Sequence, residues 1–224
     1  MEIPILFSTP MVQAILANRK TMTRRTRNLE EINNNPGQWE FVETVGRSAL
    51  FQNKKTGELR YIRCPYGQPG DILWVRETWS LLNGFNRKEW KKMFPESEMI
   101  DTSDNIFCYK ADYSQTALDY QKQKGERWNP SIFMPREAAR LFLTVKNVRV
   151  ERLQDISQED IEHEGLWHYS QEYREQICIW RDCASAIENT RRKYFRQLWN
   201  SINEKRGYGW DKNPYVWVVE FERQ

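Results

Sequence analysis

The chain is poor in the residues from which metal and redox sites are built. Its 224 residues include two histidines, His163 and His168, and four cysteines, Cys64, Cys108, Cys178 and Cys183, with no C-x-x-C pair. No zinc-type spacing or disulfide framework results, so neither a metal nor a cofactor is expected, and a reduced, cytoplasmic compartment fits. No apolar run approaches the ~20 residues of a membrane span, and the N-terminus has no signal-type region, so no membrane partner is expected. A charge imbalance is missing too: 34 Lys and Arg stand against 31 Asp and Glu, a formal net of +3. That excludes a polyelectrolyte binder of the chromatin type, and any contact with nucleic acid has to be local. With no repeat, low-complexity tract or linker, the length suits a single domain with a real core.

What the chain does have is aromatics and one dense basic run. Ten Trp, ten Tyr and ten Phe build core and also provide surfaces on which bases stack. Between Arg19 and Arg27, the five cations Arg19, Lys20, Arg24, Arg25 and Arg27 alternate with Thr21, Thr23, Thr26 and Met22. A crowded cation beside a hydroxyl can hold a phosphate. A lysine whose charge is disfavoured by like neighbours can also serve as a base.

Periodicity gives the element order. Ile3–Phe7 reads as a strand, and Ser8, Thr9 and Pro10 open a two-turn helix with Met11, Ala14, Ile15 and Leu16 on its apolar side. Thr21–Arg27 has strand composition. Residues 28–39 read as a loop, followed by a hairpin of Ala49–Gln52 with Leu59–Ile62. A Pro-Gly-Asp71 turn leads into a strand over Ile72–Trp79, and Ile106–Ala111 is another strand. The stretches 82–103 and 112–127 read as a polar excursion and a flap. Ala139–Arg152 is a long strand whose apolar phase slips near Lys146-Asn147, which predicts a bulge or bend. Ser157-x-x-Asp160 opens a short acidic helix ending near Gly165. Tyr194, Phe195, Leu198, Trp199 and Ile202 form the stripe of a helix over Arg192–Asn203, and Tyr215, Trp217, Val219 and Phe221 alternate in a closing strand. The expected class is α+β: a barrel of six or seven mostly antiparallel strands with helices at its rim.

Asn18-Arg-Lys-Thr-Met-Thr-Arg-Arg25 resembles the G-x-K-T-x-T-x-R signature of the ASCH family, a branch of the PUA-like barrels. Pro69-Gly-Asp71 and the closing Val216-Trp-Val-Val-Glu-Phe221 are similar to further family features. Cys64–Trp79 and Pro130–Arg136 resemble runs that recur in enlarged, bacteriophage-type members. Asn18 stands where the signature has Gly, and Arg24 where an apolar residue is usual. The resemblance covers about residues 1–27, 64–79, 128–166 and 192–223, leaving insertions at about 28–62, 81–127 and 167–189. It implies a PUA-like pseudobarrel whose cleft accommodates RNA, single-stranded nucleic acid or a modified nucleoside. Small members of the family hydrolyse N4-acetylcytidine with a Lys, a Thr and a Glu, which fall here on Lys20, Thr23 and Glu164. Other relatives bind without catalysis or act as nucleases.

Amide hydrolysis needs a nucleophile, a proton acceptor and a stabilised oxyanion. In an extended strand Thr23 and Arg25 share a face while Met22 turns inward. Glu164 follows Ile161 by one helical turn and is expected to point toward the core, where it needs a cationic partner such as Lys20 or Arg25. Arg24, Arg25, Arg76, Trp79, Trp128 and Arg136 are the candidate ligand contacts. For each Trp core packing is the competing role, and for Arg136 a surface ion pair. Arg191, Lys193 and Arg196 read as a solvated helix face. The competing account of Lys20 and Glu164 is a buried ion pair with no chemistry.

Overall fold

Eleven strands and four α-helices follow one another within the described residues, which are 1–81, 92, 100–101, 106–113, 127–165 and 183–224 of this computed structural model. In chain order they are β1 (Glu2–Leu6), α1 (Thr9–Leu16), β2 (Met22–Arg25), α2 (Glu30–Asn34), β3 (Trp39–Val45), β4 (Ser48–Asn53), β5 (Leu59–Arg63), β6 (Ile72–Arg76), β7 (Trp79–Leu81), β8 (Ile100–Asp101), β9 (Ile106–Tyr109), β10 (Phe142–Arg152), α3 (Gln158–His163), α4 (Cys183–Asn203) and β11 (Tyr215–Arg223). The fold is mixed α+β with a mostly antiparallel, sheet-rich core. Six or seven strands were too few, because β3 and the short β7 and β8 carry too little alternation to stand out. Most of the polar excursion, Trp90 and Phe94 included, most of the 112–127 flap, and residues 166–182 with His168 lie outside the described residues; β8 falls within the excursion.

The main sheet has the order β1-β6-β10-β11-β2; β1 runs parallel to β6 and the other pairings are antiparallel. Its spine is β10, whose register against β11 slips between Val145 and Asn147, where the apolar phase of the sequence slips. The bulge bends the strand and lets Leu143, Val145 and Val150 face one core despite their opposite parity. Strand β11 is buried on both faces. Tyr215, Trp217, Val219 and Phe221 enter the main core, while Val216 and Val218 join Met22, Leu153, Ile156, Ile161, Phe195, Trp199 and Trp210 in a second core beneath α3 and α4.

The expected loop over 28–39 contains α2 and a 3-10 turn over Pro36–Gln38. Leu29 and Ile32, a helical turn apart, are both fully buried, and Asn33 exchanges side-chain hydrogen bonds with the Tyr215 backbone. Packing has overridden the turn propensity of three consecutive asparagines. Beyond it, β3-β4-β5 form a second sheet that puts Trp39, Ala49 and Phe51 into the main core, so this part of the chain helps to build that core. A third sheet, β7-β9-β8, packs Trp79, Phe107 and Tyr109 against Met134, Ala138 and Ala139.

The Pro-Gly-Asp turn before β6 is held by the Asp71 carboxylate, which accepts from the Met1 ammonium at 2.7 Å and from the Gln68 amide at 3.0 Å. The Met1 ammonium, with help from that amide and from Arg47, holds the Asp71 carboxyl below its ordinary 3.8. A carboxyl with a depressed folded-state pKa stabilises the fold above its unfolded value, and that contribution disappears as pH falls through the folded value. Asp71→Asn is therefore expected to melt below wild type at pH 7 and to converge with it below about pH 3–4. Thermal melts across pH check this, and a constant gap down to pH 2 would contradict it.

Candidate functional site

The two edge strands of the main sheet, β1 and β2, line the same cavity: Pro4, Ile5 and Leu6 from one side and Thr23 to Arg27 from the other. The connection β1–α1–β2 is short enough to hold these edges close. The seam is bridged by the Arg25 side chain, whose Nη2 donates to the Leu6 carbonyl at 2.7 Å. Leu198, Trp199 and Ile202 of α4 form an apolar wall, Tyr66 closes one end, and the volume is about 240 Å³. Ile202, expected in the buried stripe of its helix, is exposed beside this cavity.

Glu164 caps the C-terminus of α3 and also lines the cavity. Its Oε2 accepts from Lys20 Nζ at 2.6 Å and its carbonyl from the same ammonium at 3.0 Å. The backbones are joined as well, by an antiparallel bridge between Lys20 and Glu164 and by the Thr21 amide donating to the His163 carbonyl. The Lys20 side chain has no exposed surface, whereas that of Glu164 is 8 % exposed. A ligand in the cavity thus meets the carboxylate, with the ammonium behind it. Burial holds the Lys20 ammonium below its ordinary pKa, against the opposing pull of Glu164. Thr23 is buried on β2 and lines the same cavity.

Two backbone details make this approach possible. Asn18 adopts φ 53°, in the left-handed region that glycine supplies at no cost and asparagine tolerates. Gly165 turns the chain out of α3 at φ 88°, and a Cβ there would lie 2.9 Å from Lys20 Cβ and 3.0 Å from Ala14 Cβ.

The remaining candidates separate into two groups. Arg25 lines the cavity, but Arg24, expected as a ligand contact, is committed to the protein. Its guanidinium is buried among Glu151 at 2.5 Å, Asp160 at 2.5 Å and Glu164 at 3.3 Å. Burial works against its charge, and the three carboxylates outweigh that cost and raise its pKa. Arg76, Trp79, Trp128 and Arg136 are not brought to the cavity. Arg76 donates to the Ile132 carbonyl and lies over the Trp74 ring. Trp79 is a core residue against Phe107, and Trp128 meets the Tyr113 ring edge-on. Arg136 forms a two-pronged ion pair with Glu2 on the surface. The residues that the sequence reading missed are Tyr66, Leu198, Ile202 and Arg206. For Leu198 and Ile202 the sign is a break in the burial of the α4 stripe, visible only with its neighbours in place; Tyr66 and Arg206 carry no such local signal.

Among the described residues no group of three or more His, Cys, Asp and Glu is disposed to hold a metal ion. Burial pushes the Cys64 thiol up to about 11, which leaves it inert as a nucleophile at neutral pH. No helix among the described residues is long and apolar enough to cross a membrane. No protein-family model, curated protein or solved structure matches the chain.

Replacing Arg24 with Met removes the one guanidinium shared by Glu151, Asp160 and Glu164, leaving Glu164 to Lys20 and the other two to Arg149. The expected loss is about 1.5–3 kcal/mol, as for hydrogen bonds between charged groups. Chemical denaturation at pH 7 measures it; a loss under about 0.5 kcal/mol would show that Arg24 does not organise the site. Gly165→Ala is expected to cost roughly 1–2 kcal/mol for the left-handed backbone, with a further 1–3 kcal/mol for crowding Lys20. An unchanged melting temperature would contradict that expectation.

Proposed function

We propose that this protein is an ASCH-type member of the PUA-like barrels that takes a modified base into the cavity between its sheet edges and hydrolyses an exocyclic amide of the N4-acylcytosine type. The observation that carries the reading is the Lys20–Glu164 pair at 2.6 Å, placed so that only the carboxylate faces a cavity also lined by the Thr23 hydroxyl. Asn18 supports the resemblance, since it adopts the backbone conformation for which the family signature carries glycine. Arg24, the other departure from that signature, is accommodated by Glu151, Asp160 and Glu164. The cavity is a little smaller than the ~300–1,000 Å³ of drug-sized ligand sites, which suits one base better than a strand.

In this reading Glu164 takes the proton of the attacking hydroxyl, either that of Thr23 or that of a water. The oxygen bonds to the acyl carbon, the C–N bond breaks, and Glu164 returns the proton to the departing exocyclic amine; water attack gives the free acid directly, whereas attack by Thr23 leaves an acyl ester that a water then cleaves, returning the proton to the Thr23 oxygen. Lys20 holds the carboxylate in place through the 2.6 Å ion pair. The Leu198–Ile202 wall covers the face of the base, and the free edges of β1 and β2 offer backbone donors and acceptors to its rim.

A second reading, a non-catalytic reader of a modified base in RNA or DNA, draws on a different observation. Both Glu164 oxygens are engaged, Oε2 by Lys20 and Oε1 by Arg24, which leaves the carboxylate well tied down for proton transfer. Incubation with N4-acetylcytidine separates the two. The hydrolase reading expects release of acetate and cytidine, with Glu164→Gln lowering kcat by roughly 10²–10⁴-fold in a protein that still melts cooperatively. Binding without turnover in the wild type would replace it with the reader. Absence of both across a panel of acylated and alkylated nucleosides would overturn both readings.

A further inference from the structure

The buried cations of this protein are not all treated alike. Arg24 is surrounded by Glu151, Asp160 and Glu164, and Arg140 is held between Glu77 and Asp112 at 2.8–3.0 Å. This is how a buried guanidinium is ordinarily made tolerable. Arg25, which is half-buried, has no such arrangement. It makes no ion pair among the described residues, its Nε is buried without a hydrogen-bond partner, and its direct contacts are the Leu6 carbonyl and the face of the Phe7 ring at 5.0 Å. Arg27 and Arg206 are exposed on the same cavity, and neither forms an ion pair with a carboxylate among the described residues. All three line the cavity together with Tyr66, on whose buried phenol they act electrostatically.

The opposite charge in the cavity is already spoken for. Glu164 is its only lining carboxylate among the described residues, and Lys20 and Arg24 pair with it. Arg25, with Glu164 as its more distant counter-charge, and the exposed Arg27 and Arg206 therefore give the Tyr66 side of the cavity an excess of positive charge, beside Tyr66 and Thr26. Apolar surface and a carboxylate line the remainder. A ligand complementary to both parts has a flat, weakly polar body and an anionic group at one end.

We infer that the cavity binds a single nucleotide, with the base against Leu198, Ile202 and Glu164 and its phosphate held by Arg25, Arg27 and Arg206 beside Tyr66. This rests on the base-binding reading above and extends it: the natural ligand is a nucleoside monophosphate in place of the free nucleoside. Guanidinium groups match the oxygens of a phosphate in pairs.

The test compares N4-acetylcytidine, its 5′-monophosphate, inorganic phosphate and a four-residue RNA, by calorimetry at low salt on the full chain, in wild type and in Glu164→Gln to suppress turnover. The monophosphate is expected to bind at least about tenfold more tightly than the nucleoside, with an advantage that shrinks at high salt because Arg27 and Arg206 are exposed. In the double variant Arg27→Ala/Arg206→Ala, whose sites are on the surface and tolerate truncation, the ratio should fall below about threefold. Equal affinities for nucleoside and monophosphate in the wild type would overturn the inference and leave the base-binding cavity standing. Inorganic phosphate binding as tightly as the nucleotide would reduce the site to an anion site and overturn it. A further tenfold gain for the RNA would replace the single-nucleotide site with an extended groove. Binding of none of the four would sink both this inference and the base-binding reading.

Discussion

A buried ammonium has to be answered by a carboxylate, and in this protein the answer comes from 144 residues away: Glu164 meets Lys20 at 2.6 Å in a site from which the lysine side chain has no exposure. Leaving either partner alone would cost several kcal/mol, so the pair fixes the turn after α1 against the end of α3. Because α1 joins the two edges of the main sheet, the same constraint holds those edges at the distance that creates the cavity. Arg24 extends it: by gathering Glu151 of β10 and Asp160 of α3 around one guanidinium, it ties the long strand, the short helix and β2 together.

The chemistry available at the site follows from how the charges are allotted. Cations that serve the fold are saturated with carboxylates, as Arg24 and Arg140 are, and they contribute little free field to a ligand. Arg25, Arg27 and Arg206 lack carboxylate partners among the described residues and line the Tyr66 side of the cavity, where their field is available. Two neighbouring residues of one basic run, Arg24 and Arg25, thus have opposite assignments. Strand alternation is the cause: Arg24 shares a side with Met22 and meets the carboxylates, while Arg25 faces the seam and Phe7.

Much of the architecture was legible in the residues. The slip in apolar phase at Lys146-Asn147 announced the bulge in β10, Ser157 and Asp160 announced the cap of α3, where the Ser157 hydroxyl accepts from the Asp160 amide at 3.0 Å, and the alternation after Tyr215 announced β11. These features are local, and each records a constraint that acts within a few residues. Helix α2 was not legible, since three asparagines argue for a loop, and only the burial of Leu29 and Ile32 decides otherwise. The stripe of α4 was read too simply. Phe195 and Trp199 belong to the second core and reach the cavity as well, whereas Leu198 and Ile202 lie outside that core and border the cavity alone.

The sequence by itself determined the alternation of strands and helices, the position of the bend, and the pairing requirement of an inward-pointing Glu164, because these depend on periodicity and on the cost of burying charge. Tertiary structure alone decided which arginine is spent on the fold and which faces the cavity. It also decided that Trp79 is core and that Arg136 pairs with Glu2 on the surface, and it added Tyr66 and Arg206 to the site. The physical reason is that a charge or an aromatic ring acquires its role from what closes around it. The carboxylates around Arg24 come from positions 151, 160 and 164, and nothing near residue 24 in the sequence foretells them.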